Sequence, residues 1–369
     1  MDVLWKRKCT KKNEDISQKE GTYLNFAETY GFKGTEDYAP YTPARITAEH
    51  RERYELAGEQ GEFYGKLKSA EYFGDNAAQA FPTVGDFVLV DYNDSGDSRI
   101  VRTLPRASVF ERPDPSYGRQ RPQAVAANFD YVFIVLALNR DFNDKKMARY
   151  LTLSWQSGAQ PVIVLTKLDL HEPGWERMIA AAEDAAFGVP VCPVSSLTGE
   201  GLDALHDFLQ PGKTAALLGS SGAGKSSLVN ALAGQKLMET GAVREDDARG
   251  RHTTTHRQLL RLPSGALVID TPGMRELGMW DVTEGLGDAF GDISALAQGC
   301  RFSDCQHEKE PGCAVRAAIA AGELPEERLI QYRKLKKEAR YSDDPNAYIR
   351  QRTEERKKMN KDYRARARR

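Results

Sequence analysis

The stretch Gly219-Ser-Ser-Gly-Ala-Gly224-Lys225-Ser226-Ser227 constrains this 369-residue chain more than any other. It follows the pattern G-x-x-x-x-G-K-[ST]. Thr214-Ala-Ala-Leu-Leu218 before it reads as a short buried strand, and Ser227-Leu-Val-Asn-Ala-Leu232 after it begins a helix. Phosphate oxygens need several N–H donors converging on one point. Glycines let the backbone wrap that closely, and a helix N-terminus adds favourable partial charge. Gly219, Ser220, Ser221, Gly222, Ala223 and Gly224 form the cradle on this reading, closed by Ser227. Lys225 then reaches the β- and γ-phosphates, and Ser226 ligates Mg²⁺. A plain Gly/Ser turn before a helix would not need strand, lysine, hydroxyl and helix in one register.

The surrounding texture divides the chain. Residues 1–38 are polar with several aromatics, and read as an N-terminal extension, either a poorly ordered arm or a short helical piece. Over 39–112, alternating stretches such as Gly85–Asp91 and Ser98–Leu104 lie between turn residues. Five or so strands at this spacing fit an OB-type β-barrel. A generic small β-domain fits the pattern as well. Pro113, Pro115, Gly118 and Pro122 read as a linker or exposed loop. Over 113–285, strand-like runs at 131–138, 161–165, 189–194, 214–219 and 266–270 alternate with helical stretches, including 174–187 and 225–234. That order predicts a mostly parallel sheet with crossover helices, so the fold class is multidomain α/β. Residues 286–345 read as a helical metal-binding region and 346–369 as a basic tail.

Two later segments complete a hydrolysis site on this reading. Leu267-Val-Ile-Asp270-Thr-Pro-Gly273 is a strand ending in D-x-x-G, in which Asp270 holds Mg²⁺ through water and the Gly273 N–H meets the γ-phosphate. Gly250-Arg-His252-Thr253-Thr254-Thr255 lies between loop and strand. A hydroxyl such as that of Thr254 can complete the Mg²⁺ shell only while the γ-phosphate is present, which makes the segment a switch. Where many GTPases carry a water-orienting glutamine after D-x-x-G, this chain has Met274. His252 is the candidate replacement; its other reading is an exposed loop residue or RNA contact.

The base is read from Thr166-Lys167-Leu168-Asp169, which directly follows the strand at 161–165 and resembles the [NT]-K-x-D motif of GTPases. The Asp169 carboxylate can accept from guanine N1–H and the exocyclic amine, which adenine cannot supply, and the Lys167 stem can lie along the ring. Val194-Ser195-Ser196-Leu197 resembles the companion loop whose backbone N–H faces guanine O6. These guanine motifs precede the phosphate loop, an order that a circular permutation of the sheet explains.

Cys300-x4-Cys305-x-His307-x5-Cys313 supplies three thiols and one imidazole. Four such ligands make a closed set for one structural Zn²⁺, with no open catalytic position. Asp304 and Glu308 read as neighbours of the metal or solvent residues and not as ligands, and Cys9 and Cys192 as ordinary thiols. The formal net charge is −1, yet residues 331–369 hold 15 Lys/Arg against 6 Asp/Glu, interleaved with tyrosines. This end fits either RNA phosphates or a solvated helix face. Arg102, Arg106 and Arg112 add basic groups near one edge of the barrel region. No apolar run reaches the length of a membrane span, and the first residues lack a signal-peptide core, so a cytoplasmic location without membrane contact is expected.

The chain resembles the circularly permuted ribosome small subunit-dependent GTPase A family over about residues 40–340. Leu104–Pro113, Ala126-Ala-Asn-Phe-Asp130 and the motifs above carry the likeness. The resemblance implies an N-terminal OB barrel, a permuted GTPase core and a C-terminal zinc domain. It also implies GTP-to-GDP hydrolysis with Mg²⁺, stimulated by the small (30S) ribosomal subunit and its rRNA during late maturation, and it points to His252 in catalysis. A monomer is expected. Two other readings stay open: an RNA-binding assembly factor that uses nucleotide as a conformational sensor, and a P-loop ATPase or kinase.

Overall fold

A computed structural model describes residues 25–50, 53–67, 81–113, 122–139, 144–170, 173–186, 188–238, 257–270 and 289–343. Five strands close the N-terminal barrel: β1 (Thr42–Glu49), β2 (Tyr54–Gly58), β3 (Gly61–Leu67), β4 (Phe87–Asp91) and β5 (Ser98–Thr103). The order is β1-β2-β3-β5-β4, and β4 pairs back onto β1. Its core is small, built from Ala44, Ile46, Leu56, Val88, Val90 and Ile100. Alternation of inward apolar and outward polar residues places these side chains on one face of each strand.

Strands β6 (Val109–Pro113) and β7 (Pro122–Ala127) pair with each other as a separate two-stranded sheet. The ends of the stretch read as a linker are thus paired strand residues, with Pro113 opposite Pro122 next to the connection between β6 and β7. Prolines are tolerated there because edge positions need no N–H donor.

The second half of the sheet holds β8 (Tyr131–Ala137), β9 (Gln160–Thr166), β10 (Val191–Pro193), β11 (Thr214–Leu218), β12 (Gln258–Arg261) and β13 (Leu267–Asp270). Their order is β10-β9-β8-β11-β13-β12, parallel except for β12. The antiparallel β12 was not expected from the sequence, since four residues carry little pattern. Helices α2 (Asp144–Gln156), α3 (Trp175–Ala186) and α4 (Lys225–Ala233) cover the faces. Strand β8 is buried on both sides. Val132, Ile134 and Leu136 join the core shared with α2 and α3, while Phe133 and Val135 join the core under α4. That two-sided burial is why the strand reads as an unbroken apolar run.

Helices α5 (Gly291–Ala297), α6 (Ala314–Ala320) and α7 (Glu326–Asp343) pack on the same core as α2, through Phe290, Ile293, Val315, Leu329 and Leu335. The bidentate Arg328–Asp292 pair fixes α7 to α5. Residues before the barrel are partly structured. Helix α1 (Phe26–Tyr30) buries Phe26 against Phe32 and Phe87, so residues 25–38 include a packed element where the sequence favoured a loose arm. Burial of one such ring contributes about 1.5–3 kcal/mol, enough to hold a short helix.

The barrel and the α/β unit meet around Arg45, which is buried. Its guanidinium donates to the carbonyls of Gly85, Tyr30 and Asn128 and to Thr214 Oγ1. Burial pushes its pKa down to about 10, with Asp130 and Asp86 opposing. Arg106 is held by the fully buried Asp86 in a bidentate pair at 2.7–2.8 Å. It serves this joint and does not present a free basic group on the barrel edge, as the sequence suggested. Arg112 bonds Gln123, whereas Arg102 is exposed.

Candidate functional site

A parallel sheet brings the C-terminal ends of its strands to one edge, and a ligand crevice forms where neighbouring strands lead their connections to opposite sides. Strands β8 and β11 are such neighbours here. The phosphate loop follows β11, Thr166–Asp169 ends and follows β9, Ser195–Leu197 follows β10, and Asp270 ends β13. All four segments therefore meet at one edge.

The phosphate loop is built by close backbone approach. A Cβ on Gly219 would lie 2.4 Å from the Val135 carbonyl oxygen of β8, so only glycine fits. Gly224 caps α4 at φ 92°, a left-handed conformation that glycine adopts without cost. Helix α4 begins at Lys225, as the helical stretch 225–234 predicts, which puts Lys225 and Ser226 in its first turn. Lys225 Nζ donates to the Gly219 and Ser220 carbonyls at 2.8 and 2.9 Å.

Thr166 ties the expected base-reading segment to this loop. Its hydroxyl is buried and donates to the Ala223 carbonyl at 2.6 Å, with the Leu136 carbonyl at 3.3 Å. Lys167 follows at φ 65°, a left-handed conformation rare for lysine that turns the chain into a short 3₁₀ helix, Leu168–Leu170. Asp169 Oδ1 there accepts from Ser195 Oγ at 2.7 Å. Ser195 Oγ in turn accepts from the Leu197 and Thr198 N–H groups. The two expected guanine segments are thus joined by a side-chain hydrogen bond. The Ser196 hydroxyl is buried with no hydrogen-bond partner among the described residues. A buried orphan of this kind costs about 1–3 kcal/mol unless something else satisfies it.

Asp270 is buried at the end of β13. Burial pushes its carboxyl above the ordinary range, and the Lys225 ammonium pulls it back. A cation between Ser226 and Asp270 would relieve that burial cost, so the donor set fits Mg²⁺. His252, Thr254, Gly273 and Met274 lie outside the described residues.

The metal candidates converge. One ligand atom from each of Cys300, Cys305, His307 and Cys313 lies within 4.8 Å of all the others. Cys300 Sγ is 3.6 Å from His307 Nδ1 and 3.9 Å from Cys313 Sγ, and Cys313 Sγ is 3.5 Å from His307 Nδ1. A tetrahedral zinc with Zn–S near 2.3 Å has edges of about 3.5–3.8 Å, so the set fits that ion. Burial holds the His307 imidazole below its ordinary pKa and therefore neutral, the form that ligates. Sequence reasoning missed Glu310. Its carboxylate accepts from the Gln306, Glu308 and Lys309 N–H groups, and these bonds hold its pKa at about 2. It folds the knuckle carrying His307. Only its place between His307 and Cys313 hinted at this.

A separate cleft of about 940 Å³ lies between α1, the barrel and the start of β11, lined by Phe32, Phe87, Lys213 and Thr214 among others. It sits at the opposite end of β11 from Gly219, roughly 15 Å along the strand. It is not part of the nucleotide site.

A profile of the RsgA GTPase family matches residues 103–280. "Small ribosomal subunit biogenesis GTPase RsgA 2" of Listeria monocytogenes serotype 4b (strain F2365) is 43% identical over 325 residues, covering 88% of this chain and 90% of that one. The chain belongs to the RsgA GTPase family. "Small ribosomal subunit biogenesis GTPase RsgA" of Streptomyces avermitilis is 51% identical, covering 69% of this chain and 68% of that one. Among solved structures, YjeQ from Thermotoga maritima superposes with a TM-score of 0.61 at 26% identity, covering 80% of this chain and 97% of that one. YloQ, described as a circularly permuted GTPase, gives 0.57 at 25% identity, covering 81% and 95%. Family membership makes the chain a GTPase of permuted order, and the order of strands and motifs agrees. Among the described residues, no helix is long and apolar enough to cross a membrane.

Proposed function

We propose that this GTPase acts in late maturation of the small ribosomal subunit, and that contact with the subunit and its rRNA raises its rate of GTP hydrolysis. The observation that carries guanine specificity is the chain of contacts from Ala223 through Thr166 and Asp169 to Ser195. It supports the reading because it ties a carboxylate, held by Ser195, to the expected phosphate loop.

Asp169 accepts from the guanine N1–H and amine, Lys167 lies along the ring, and the Ser196 hydroxyl and backbone face O6. The base satisfies the orphan hydroxyl of Ser196. Gly219, Ser220, Ser221, Gly222, Ala223, Gly224 and Ser227 wrap the phosphates, with Lys225 neutralising β- and γ-oxygens. Ser226 and Thr254 would hold Mg²⁺, with Asp270 acting through water, and the Gly273 N–H would meet the γ-phosphate. Bound Mg²⁺ supplies charge neutralisation on the leaving phosphate. His252 orients the attacking water, a task Met274 cannot perform. One structural Zn²⁺ sits on Cys300, Cys305, His307 and Cys313.

The functional units follow the sequence divisions: extension 1–38, barrel 39–112, permuted GTPase 113–285, zinc domain 286–345 and tail 346–369. Barrel, zinc domain and tail engage rRNA in the cytoplasm, and the protein acts as a monomer. The test is hydrolysis of GTP and ATP, with and without purified small subunits. Slow GTP turnover alone, a large rise with subunits and no ATP turnover are expected. Equal GTP rates with and without subunits would overturn the maturation reading, and equal use of ATP would overturn guanine selection.

A further inference from the structure

The barrel joins the GTPase sheet at two places along one strand, and they differ in strength. At Arg45 the joint is buried and carries four hydrogen bonds to three separate segments of chain and to Thr214. At the end of β1 it is thin. Among the described residues, one residue pair, Ala48 opposite Gln258, joins β1 to β12, beside an ion pair of 3.4 Å between Glu49 and Arg257.

The thin joint sits at a sensitive point. Gln258 lies between Ala48 of the barrel on one side and Asp270, the end of the D-x-x-G strand, on the other. Arg257 directly follows the segment Gly250–His256 in sequence, which carries His252 and the threonines. Both segments expected to respond to the γ-phosphate therefore connect to β12 within one residue of the barrel contact. The pair is also partly shielded, with Arg257 at 15% and Glu49 at 33% side-chain exposure, so water screens it less than a surface pair. Arg112 opposes the charge on Arg257, and Glu49 is the anion that holds it.

We propose that Glu49 and Arg257 are positioning residues that transmit the posture of the docked barrel to the switch strands. Arg45 serves as the fixed point. Glu49 lies four residues from Arg45, about 13 Å along an extended strand. A barrel tilt of about 5° around Arg45 therefore moves the Glu49 end by about 1 Å, a displacement large enough to change a rate by about two orders of magnitude at a reacting centre. Neither residue touches nucleotide in this scheme. They act on kcat in the subunit-bound state and leave nucleotide affinity alone.

This inference rests on subunit-stimulated hydrolysis, and its test separates the two. The full chain and the variants Glu49→Gln, Arg257→Gln, Arg257→Lys and the swap E49R/R257E are assayed for GTP hydrolysis with and without small subunits. Affinity for a fluorescent GDP and co-sedimentation with subunits are measured in parallel. For Glu49→Gln and Arg257→Gln, stimulated kcat is expected to fall about tenfold, with basal kcat, GDP affinity and subunit binding within about twofold. Arg257→Lys and the swap are expected to recover most of the loss. Full stimulation in Glu49→Gln would overturn the coupling, as would an equal loss of basal and stimulated rates. If Arg257→Gln does not fold, the variant at the more exposed Glu49 decides alone. Absence of stimulation in the unaltered chain would overturn the maturation reading, and this inference with it.

Discussion

Replacing Thr166 by valine tests whether the base-reading segment and the phosphate loop act as one unit. The two side chains have nearly the same shape, so the change removes one hydroxyl at a site that is 1% exposed. The lost bond to the Ala223 carbonyl is 2.6 Å long, too short for a methyl group to take the same place. Valine must therefore push the loop outward, leaving a buried carbonyl without its donor. A buried acceptor left unpaired costs about 1–3 kcal/mol. Without nucleotide, the loop can relax and escape most of that cost; with phosphates bound it cannot. The cost then falls on binding, because nucleotide selects the closed loop. A cost of about 2 kcal/mol corresponds to about a thirtyfold rise in Kd for GDP. Titration with a fluorescent GDP analogue measures this, alongside thermal unfolding to establish that the variant is folded. Thr166→Ser keeps the hydroxyl and is expected to stay close to the parent affinity. A folded Thr166→Val chain with unchanged Kd would refute the argument that this bond sets the loop.

Other consequences concern the joint, the guanine pocket and the metal knuckle. Arg45→Met removes donors from four acceptors and is expected to cost about 3 kcal/mol, seen as a lower urea midpoint; Arg45→Lys should not rescue it, because one ammonium cannot span the guanidinium's partners. An unchanged midpoint for the methionine variant would count against Arg45 as the joint. Ser196→Ala removes an unpartnered buried hydroxyl, so the unliganded chain should not lose stability, while GDP affinity falls about three- to tenfold; equal affinity would separate Ser196 from the base. Metal analysis is expected to find one zinc per chain, reduced to none in Cys305→Ser, and Glu310→Gln should lose zinc faster to a chelator because the His307 knuckle loses its anchor. Zinc retained in Cys305→Ser at full occupancy would exclude that thiol as a ligand.

Motifs of fixed local geometry were legible without coordinates. The phosphate-cradle pattern needs glycines, a lysine and a helix start at set spacing, so Gly219–Ser227 could be read from the sequence as a candidate, and the helix begins at Lys225. The same holds for the Cys/His spacing, whose ligand atoms converge, and for β8, whose apolar run reflects cover on both faces. The permuted order of motifs was written in the chain because it is a matter of sequence alone. Tertiary structure decided everything that depends on long-range partners. Arg106 looks like a basic surface residue until Asp86, buried beside it, takes both arms of its guanidinium. Thr166 is legible as part of the expected guanine motif, but only the fold brings the Ala223 carbonyl to its hydroxyl. Strand β12 has too few residues to show a period, and only its pairing with β13 and β1 makes it the bridge between barrel and GTPase sheet. A side chain's role in such places is set by which distant backbone arrives next to it, and no local pattern encodes that arrival.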